Sequence, residues 1–402
     1  MLPYCKISLY KEAFFMEFNF KKGIYRLNSQ SNFDFQLNRL VMWDGGDLNE
    51  VKDICNKINS SESWKRELIM LGDKAVYENR IENAIGYYRM SEFFMYDGDP
   101  DKKKYYIKAT EMFDSYYKTY FEQGKVERFQ VPYEGVKLPV MHAKAKGERK
   151  DIILLHGGND SYYEEFFLPM LYLAENGFEV YLFEGPGQGG VVRIQNKHFT
   201  HEWEKPVKAI LDYFEIEDVT IIGASLGGML APRAAAFEKR ISRVIAWSVF
   251  PNFQEVLLNG LSMPQRLMTN ICLKFKLKGL INGAIKKAAK TDELTRWGIE
   301  HGMYAYEAKN PYEYIMKMDL YQMINIADKI TQDIFIAGAS KDHFIDYRTV
   351  DKEIVALENA RSVTFRLFTE AESASNHCNC GNVKLTFDTF MNWIMQMKRE
   401  ER

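Results

Sequence analysis

One short stretch of the chain carries the pattern of a serine nucleophile. Residues 219–230, VTIIGASLGGML, contain Gly-x-Ser-x-Gly as Gly223, Ser225 and Gly227, after an apolar strand and before a helix. A sharp turn of this kind leaves no room for side chains beside the serine. It also presents the hydroxyl at a helix N-terminus, where free amides favour a developing anion. The context predicts Ser225 as a nucleophile; the alternative is a glycine-rich packing turn.

A serine nucleophile needs a base that is oriented by an acid. In folds with this turn, the chain order is serine, acid, histidine. The acid is expected after a late strand, and there the sequence GASKDHFID offers Asp342 and Asp346. Asp342 lies closer behind the strand and is the predicted acid, with Asp346 as second choice. A plain surface turn is the alternative role for Asp342.

The base is expected after the last strand and before the closing helix. Of the seven histidines, only His343 and His377 follow late strands, and His377 has the expected position. Because Cys378 and Cys380 stand beside it, a metal site is the competing interpretation. A metal site needs further ligands at suitable spacing, and the other cysteines are scattered. We therefore predict a catalytic base, no metal, and cysteines that serve the loop or its packing.

An oxyanion hole in such a site takes one amide from the residue after the nucleophile, Leu226, and one from the loop after an early strand. That loop has the sequence LHGGND, so Gly158 or Asn159 is the predicted second donor, against a plain Gly-Gly turn. The run EGPGQGG at 184–190 lacks the Lys-Ser/Thr pair of a phosphate-binding loop. We interpret it as a rigid turn beside the site and predict no cofactor.

The elements around these motifs predict an α/β fold. From about residue 126, short apolar runs alternate with helical stretches, which is typical of a mostly parallel sheet covered on both faces. An antiparallel pair followed by six parallel strands gives eight. Residues 1–125 are predicted to form a helical N-terminal domain and 126–402 the core, with a helical lid inserted at about 252–330.

The N-terminal region is rich in aromatic residues, some of which we expect to wall the substrate pocket together with the lid. A role confined to packing the helices against each other is the equal alternative. The aromatic set is Tyr87, Tyr88, Phe93, Phe94, Tyr105, Tyr106, Phe113, Tyr116 and Tyr117.

Composition and charge restrict the classes of partner that we expect this protein to bind. A net charge of −2 gives no electrostatic footprint for a nucleic acid. No signal peptide or transmembrane run is apparent, and five scattered cysteines favour a reducing compartment, so we expect a cytoplasmic protein without a membrane partner. The lysine-rich stretch 274–290 is predicted to be a lid helix with a solvated lysine face, with a membrane-surface role as the alternative. The expected partner is a small acyl substrate; a homodimer stays open.

With the Gly-x-Ser-x-Gly turn, the His-Gly-Gly loop, the Gly-Pro-Gly-Gln-Gly run and the Asn-His-Cys ending, the chain resembles the α/β-hydrolase superfamily. The likeness extends to the subgroup with an N-terminal helical domain, which includes 2,6-dihydroxypseudooxynicotine hydrolase, fungal yellowish-green-type hydrolases and the fermentation–respiration switch protein. By motif, Ser225, Asp342 and His377 match its nucleophile, acid and base. Glu184 departs from the aspartate that is more usual before Gly-Pro-Gly.

The resemblance implies a serine hydrolase acting on small acyl or aryl esters, or on a carbon–carbon bond beside a ketone. An acylaminoacyl- or dipeptidyl-peptidase-like amide hydrolase is the first alternative. Such peptidases carry a β-propeller before the core, and the segment before residue 126 is too short and too helical for one. A non-catalytic binding or regulatory scaffold is the second alternative, since fold alone does not establish activity.

Overall fold

A helical region precedes the sheet in the computed structural model, which describes residues 18, 20–96 and 98–400. Its core contains Trp64, Tyr87 and Tyr88, all fully buried. Two helices form between residues 61 and 93, because Asn79 adopts a left-handed conformation (φ 57°) that ends the first. The helices of this region are α1 (Ser31–Met42), α2 (Leu48–Cys55), α3 (Ser61–Tyr77), α4 (Ile81–Phe93), α5 (Pro100–Tyr116) and α6 (Lys118–Glu122).

An eight-stranded, mostly parallel sheet forms the centre of the molecule, as predicted. Its spatial order is β1-β2-β4-β3-β5-β6-β7-β8; β2 runs antiparallel to β1 and β4, and the remaining neighbours are parallel. The strands are β1 (Glu127–Tyr133), β2 (Val136–Ala143), β3 (Asp151–His156), β4 (Phe178–Phe183), β5 (Val219–Ala224), β6 (Ile241–Trp247), β7 (Asp333–Ala339) and β8 (Ser362–Phe368).

The antiparallel pair closes with a two-residue turn. Glu134 and Gly135 have φ values of 41° and 83°, and Tyr133 pairs with Val136 across the turn. Two central residues with positive φ are the mark of the type I′ turn, whose twist matches that of the flanking strands. The antiparallel pair that the sequence predicts before the parallel strands is therefore a hairpin.

Helices cover both faces of the sheet, because alternate residues of each strand point to opposite sides. Leu154 and Ile221 belong to the core beneath α9 and α10, whereas Ile153 and Ile222 belong to the core beneath α7 and α17. The helices after the hairpin are α7 (Phe167–Glu175), α8 (Gly189–Arg193), α9 (Glu204–Tyr213), α10 (Gly227–Phe237), α11 (Phe253–Leu258), α12 (Met263–Lys274), α13 (Lys278–Ala288), α14 (Glu293–Ala305), α15 (Pro311–Met318), α16 (Val350–Ala356) and α17 (Val383–Glu400).

The long connection between β6 and β7 is helical and consists mainly of α11 to α15. Part of it has only a small core of its own, in which Cys272 of α12, Ile281 of α13 and Ile315 of α15 are buried together. Within the described residues, no helix of this or any other region is long and apolar enough to cross a membrane.

A buried ion pair ties the N-terminal helices to the loops of the sheet. Arg39 of α1 donates from Nη2 and Nε to the two carboxylate oxygens of Glu165, at 2.6 and 2.9 Å. The Arg39 and Glu165 side chains are 8% and 0% exposed. Arg39 Nη2 also donates to the carbonyl oxygen of Asp160 at 3.3 Å. Since a buried charge is costly without its partner, this bidentate pair fixes where α1 sits on the sheet.

We expect Arg39→Met to lower the free energy of unfolding by about 3–5 kcal/mol, because Glu165 would stay buried without its cation. The matched control is Arg128→Met, since the side chains of Arg128 and its partner Asp114 are 38% and 50% exposed; a loss of about 0–1 kcal/mol is expected there. Urea unfolding of the variants measures both losses. Equal losses would contradict the role assigned to the Arg39–Glu165 pair.

Candidate active site

Ser225 occupies a strained turn between β5 and α10. Its φ is 59°, a left-handed value that is uncommon for a residue with a side chain. A Cβ at Gly223 would lie 2.2 Å from the carbonyl oxygen of Gly227, and one at Gly228 would lie 2.5 Å from that of Ser248. The backbone amide of Ser225 donates to the carbonyl oxygen of Trp247 at 3.1 Å. The glycines around the serine are therefore a steric requirement of the turn, as the motif predicts.

A hydrogen-bonded chain of three side chains starts at this serine. His377 Nε2 lies 2.8 Å from Ser225 Oγ, and His377 Nδ1 lies 2.6 Å from Asp342 Oδ2. The other oxygen of Asp342 accepts the backbone amides of Phe344 and Ile345 at 2.9 and 3.1 Å. These two amides fix the carboxylate, so the structure brings together the three residues that the sequence predicted as nucleophile, acid and base.

The charges around His377 alter its basicity. Burial acts to lower the pKa of the imidazole, but the Asp342 carboxylate and the Cys378 side chain outweigh burial and raise this pKa well above its usual value. A carboxylate on Nδ1 stabilises the imidazolium that forms when Nε2 takes up a proton. The arrangement is therefore suited to a base that accepts the serine proton.

Asp346, the second choice for the acid, lies elsewhere. Its carboxylate caps the short helix Tyr347–Thr349 by accepting the backbone amide of Arg348 and also pairs with the Arg348 guanidinium at 2.7 Å. The hydrogen bond with the Arg348 side chain lowers the pKa of the Asp346 carboxyl group. Asp342 alone of the two is hydrogen-bonded to His377.

The loop after β3 lies against the serine turn. A Cβ at Gly158 would lie 2.6 Å from the carbonyl oxygen of Ala224 and 2.7 Å from the amide nitrogen of Leu226, so only glycine fits. The Gly158 amide already donates to Ser161 Oγ at 2.9 Å. The amides of Leu226 and Asn159, by contrast, have no hydrogen-bond acceptor among the described residues. Of the two predicted second donors, Asn159 therefore has the uncommitted amide.

The Gly-Pro-Gly-Gln run supports this loop from behind. Gln188 Nε2 donates to the carbonyl oxygens of Gly157 and Gly158 at 2.8 and 3.0 Å. The buried Glu184 carboxylate accepts the amides of Tyr163 and Gly190 at 3.1 and 2.9 Å. The run is held beside the site by side-chain hydrogen bonds, which its glycine pattern alone does not reveal.

A cavity of about 650 Å³ opens at the serine. The hydrogen-bonded side chains of Ser225 and His377 therefore face a largely apolar cavity that is large enough for a small-molecule ligand. Its wall comes from α1, the loop after β3, the connection between β6 and β7, and the loops that carry Asp342 and His377. The aromatic part of the wall comprises Phe35, Trp43, Phe166, Phe250, Phe253, Trp297, Tyr314 and Phe344.

The N-terminal region contributes to this wall through α1 and not through the aromatic set that the sequence singled out. None of those nine residues lines the cavity. Phe93 and Phe94 lie behind it, at ring-centroid distances of 5.4 and 5.0 Å from Trp297, because α3 to α5 bury most of their aromatics in a core of their own. Phe35 of α1 instead packs its ring 5.8 Å from that of His377.

Two polar contacts beside the cavity were not predicted. His301 of α14 stacks on Trp297 with an interplanar angle of 7°, and its Nε2 lies 2.8 Å from Asp160 Oδ1. Tyr306 donates its hydroxyl to Asn159 Oδ1 at 2.6 Å. Both contacts join the β6–β7 connection to the loop after β3. A single histidine in a helix, or a single tyrosine just after one, gives no sequence signal for such a contact.

The cysteines beside His377 belong to a tight turn. Cys378 and Cys380 are buried, and Cys378 and Asn379 both have positive φ. Asn379 Oδ1 accepts the indole N–H of Trp247 at 2.9 Å, which anchors the turn to β6. Among the residues that the structure describes, no group of three or more His, Cys, Asp or Glu side chains is arranged to hold a metal ion.

Comparisons with known proteins agree with this architecture. Residues 151–368 match the family described as alpha/beta hydrolase fold. The alpha/beta hydrolase psoB of Aspergillus fumigatus is 25% identical over 378 residues, covering 82% of this chain and 84% of psoB. The 20-hydroxy-prefusarin hydrolase FUS2 of Gibberella moniliformis is 24% identical over 364 residues, covering 80% of this chain and 85% of FUS2.

A solved structure of 2,6-dihydroxy-pseudo-oxynicotine hydrolase superposes with a TM-score of 0.62 at 17% identity, covering 89% of this chain and 94% of that one. At this identity the likeness concerns the fold, including the helical region before the sheet. The family match spans more than half of the chain. The chain therefore belongs to the alpha/beta hydrolase family, and it is a hydrolase.

The contrast between Asp342 and Asp346 gives a test with a built-in control. Asp342→Asn should lower kcat on the order of 10⁴-fold, because the amide cannot support the imidazolium. A base must be unprotonated to act. Because the pKa of His377 is raised, kcat/KM of the native enzyme should rise with pH only above pH 6.5, and this rise is the limb of the pH profile that reports on His377. Asp342→Asn should move this limb to lower pH, whereas Asp346→Asn should leave rate and profile nearly unchanged. Stopped-flow or steady-state pH profiles with p-nitrophenyl acetate measure both. The reverse ranking would exchange the two roles.

Proposed function

We propose that this hydrolase acts through Ser225 as nucleophile, His377 as base and Asp342 as the acid that orients it. The observation that carries the proposal is the continuous hydrogen-bond chain from Asp342 through His377 to a serine held at the floor of the cavity. A scaffold without activity would not require this serine to be strained, glycine-flanked and bonded to a buried histidine–carboxylate pair.

The chemistry follows from the positions of these atoms. Ser225 Oγ attacks the substrate carbonyl carbon while His377 Nε2 takes the hydroxyl proton. The carbonyl oxygen becomes an anion that accepts the amides of Leu226 and Asn159. When the tetrahedral intermediate collapses, the leaving group departs with the proton from His377. Water then attacks the acyl-enzyme, gives its proton to His377, and releases the acid and the free serine.

The leaving group can be an alcohol, an amine or a stabilised carbanion, so the three side chains do not select the bond. The cavity does constrain the substrate. Walls built from aromatic side chains favour compact apolar acyl or aryl groups. FUS2, which matches over 80% of this chain, carries the name 20-hydroxy-prefusarin hydrolase. We therefore propose small acyl or aryl esters, or ketones cleaved at a carbon–carbon bond, as the substrate class.

Ser225→Ala should reduce hydrolysis of p-nitrophenyl esters on the order of a million-fold, because the covalent intermediate cannot form. Ser242→Ala is the matched control, since Ser242 lies at the start of β6, at the opposite end of the sheet from the site, and should retain full activity. Steady-state rates on a panel of short esters, aryl esters, an aryl β-diketone and a blocked aminoacyl amide measure this.

The panel also separates the substrate classes. Turnover of esters or of the diketone that depends on Ser225 supports the proposal. Retention of more than a few per cent of ester hydrolysis by Ser225→Ala would contradict the nucleophile. Efficient turnover of the aminoacyl amide alone would instead favour the peptidase-like alternative.

A further inference from the structure

Helix α12 leaves its apolar face uncovered. Five large apolar side chains lie along one side of the helix and just beyond its end, recurring every three or four residues with one adjacent pair, and all are exposed. They are Met263 (79% exposed), Leu267 (63%), Met268 (60%), Ile271 (40%) and Phe275 (66%). Large exposed apolar patches are unusual on soluble proteins and mark sites of interaction.

The patch continues beyond α12. Leu277 and Leu280 are 40% and 62% exposed, so residues 263–280 hold seven of the twenty exposed large apolar side chains in the described part of the chain. On their other side, α12 and α13 are held by the small cluster of Cys272, Ile281 and Ile315. One face of these two helices therefore packs against the small cluster, and the other face is exposed to solvent.

The charges of the chain segment that carries the patch have one sign. Between Glu255 and Asp292 the chain has seven cations and no acidic residue, whereas the protein as a whole has a net charge of −2. The cations are Arg266, Lys274, Lys276, Lys278, Lys286, Lys287 and Lys290. Lysines beside an exposed apolar helix face are the combination that binds the surface of an anionic bilayer, with apolar side chains entering the interface and lysines meeting the headgroups.

We propose that α12 and α13 form a docking surface for an anionic lipid membrane. A second copy of the chain fits the surface poorly, because a symmetric contact would bring seven like charges of each copy together. The sequence favoured a solvated lysine face over a membrane-surface role for residues 274–290 and predicted no membrane partner. The exposed apolar face now favours the membrane-surface role, and the proposal does not depend on the role of Ser225.

The location gives the surface a function. Asn259 and Gly260, just before α12, line the cavity at Ser225. Docking through α12 and α13 would therefore hold the cavity next to the lipid surface, where apolar substrates concentrate.

Vesicle flotation of the full chain tests the proposal. The protein should float with vesicles of phosphatidylcholine and phosphatidylserine at low salt, and roughly tenfold less with phosphatidylcholine alone or at high salt, since the lysine contribution is electrostatic. Two triple variants should each weaken binding roughly tenfold or more: Leu267→Gln/Met268→Gln/Phe275→Gln and Lys274→Gln/Lys276→Gln/Lys278→Gln.

Matched controls change equally exposed residues elsewhere. Met70→Gln/Tyr77→Gln/Val355→Gln alters side chains that are 59%, 92% and 80% exposed, and Lys57→Gln/Lys103→Gln/Lys239→Gln removes three cations outside the patch. Both should bind like the native protein, and circular dichroism checks that every variant folds.

Three results would overturn the proposal. One is the absence of native binding to anionic vesicles. Another is equal binding to vesicles of phosphatidylcholine alone. The third is a dimer in analytical ultracentrifugation that the apolar triple variant converts to monomer, which would assign the patch to a second copy.

Discussion

The left-handed backbone of Ser225 is the constraint on which the site depends. An L-residue with φ near 59° is disfavoured unless its surroundings hold it there. Here the surroundings are backbone atoms at close range: Gly223 against Gly227, Gly228 against Ser248, and Gly158 against Leu226. Adding a methyl group at Gly158, Gly223 or Gly228 would push these segments apart. These close approaches couple the serine turn to the loop after β3, and both to the start of α10.

The parallel sheet brings the remaining groups to the same place. Ser225, Asp342 and the loop of Gly158 follow the carboxyl ends of β5, β7 and β3, and these ends meet at one edge of the sheet. His377 follows β8, and a turn anchored through Asn379 to Trp247 carries it back over the serine. The N-terminal helices add a lateral wall, since α1 is fixed by the Arg39–Glu165 pair and presses Phe35 against His377.

Much of this arrangement could be predicted from the sequence. The strands were predicted because short continuous apolar runs between helical stretches are a strong local signal of buried parallel strands. Ser225, Asp342 and His377 were selected as candidate nucleophile, acid and base because the motif and chain order restrict each role to one or two residues, and the structure brings the three side chains together. Asp342 was preferred to Asp346 on distance from β7 alone, and the bond to His377 agrees with that choice.

The contacts between distant segments could not be predicted. Asn159 and Gly158 are equal candidates in the sequence, and only the bond from Gly158 to Ser161 distinguishes them. Some of the aromatic residues of the N-terminal region were expected in the pocket wall, with helix packing as the equal alternative, yet α1 supplies this region's part of the wall. The sequence does not tell which helix of a region faces the sheet. The exposed face of α12 was missed for the same reason: amphipathic periodicity shows that a face is apolar, not that something covers it.

The central claim is that Ser225 is the activated nucleophile, and covalent labelling tests it most directly. After reaction with a fluorophosphonate, intact-mass measurement and peptide mapping should find one adduct per chain on the peptide that contains Ser225. Labelling should slow greatly in His377→Ala, which lacks the base. A chain that takes no adduct, or one that carries the adduct on another residue, would contradict the account.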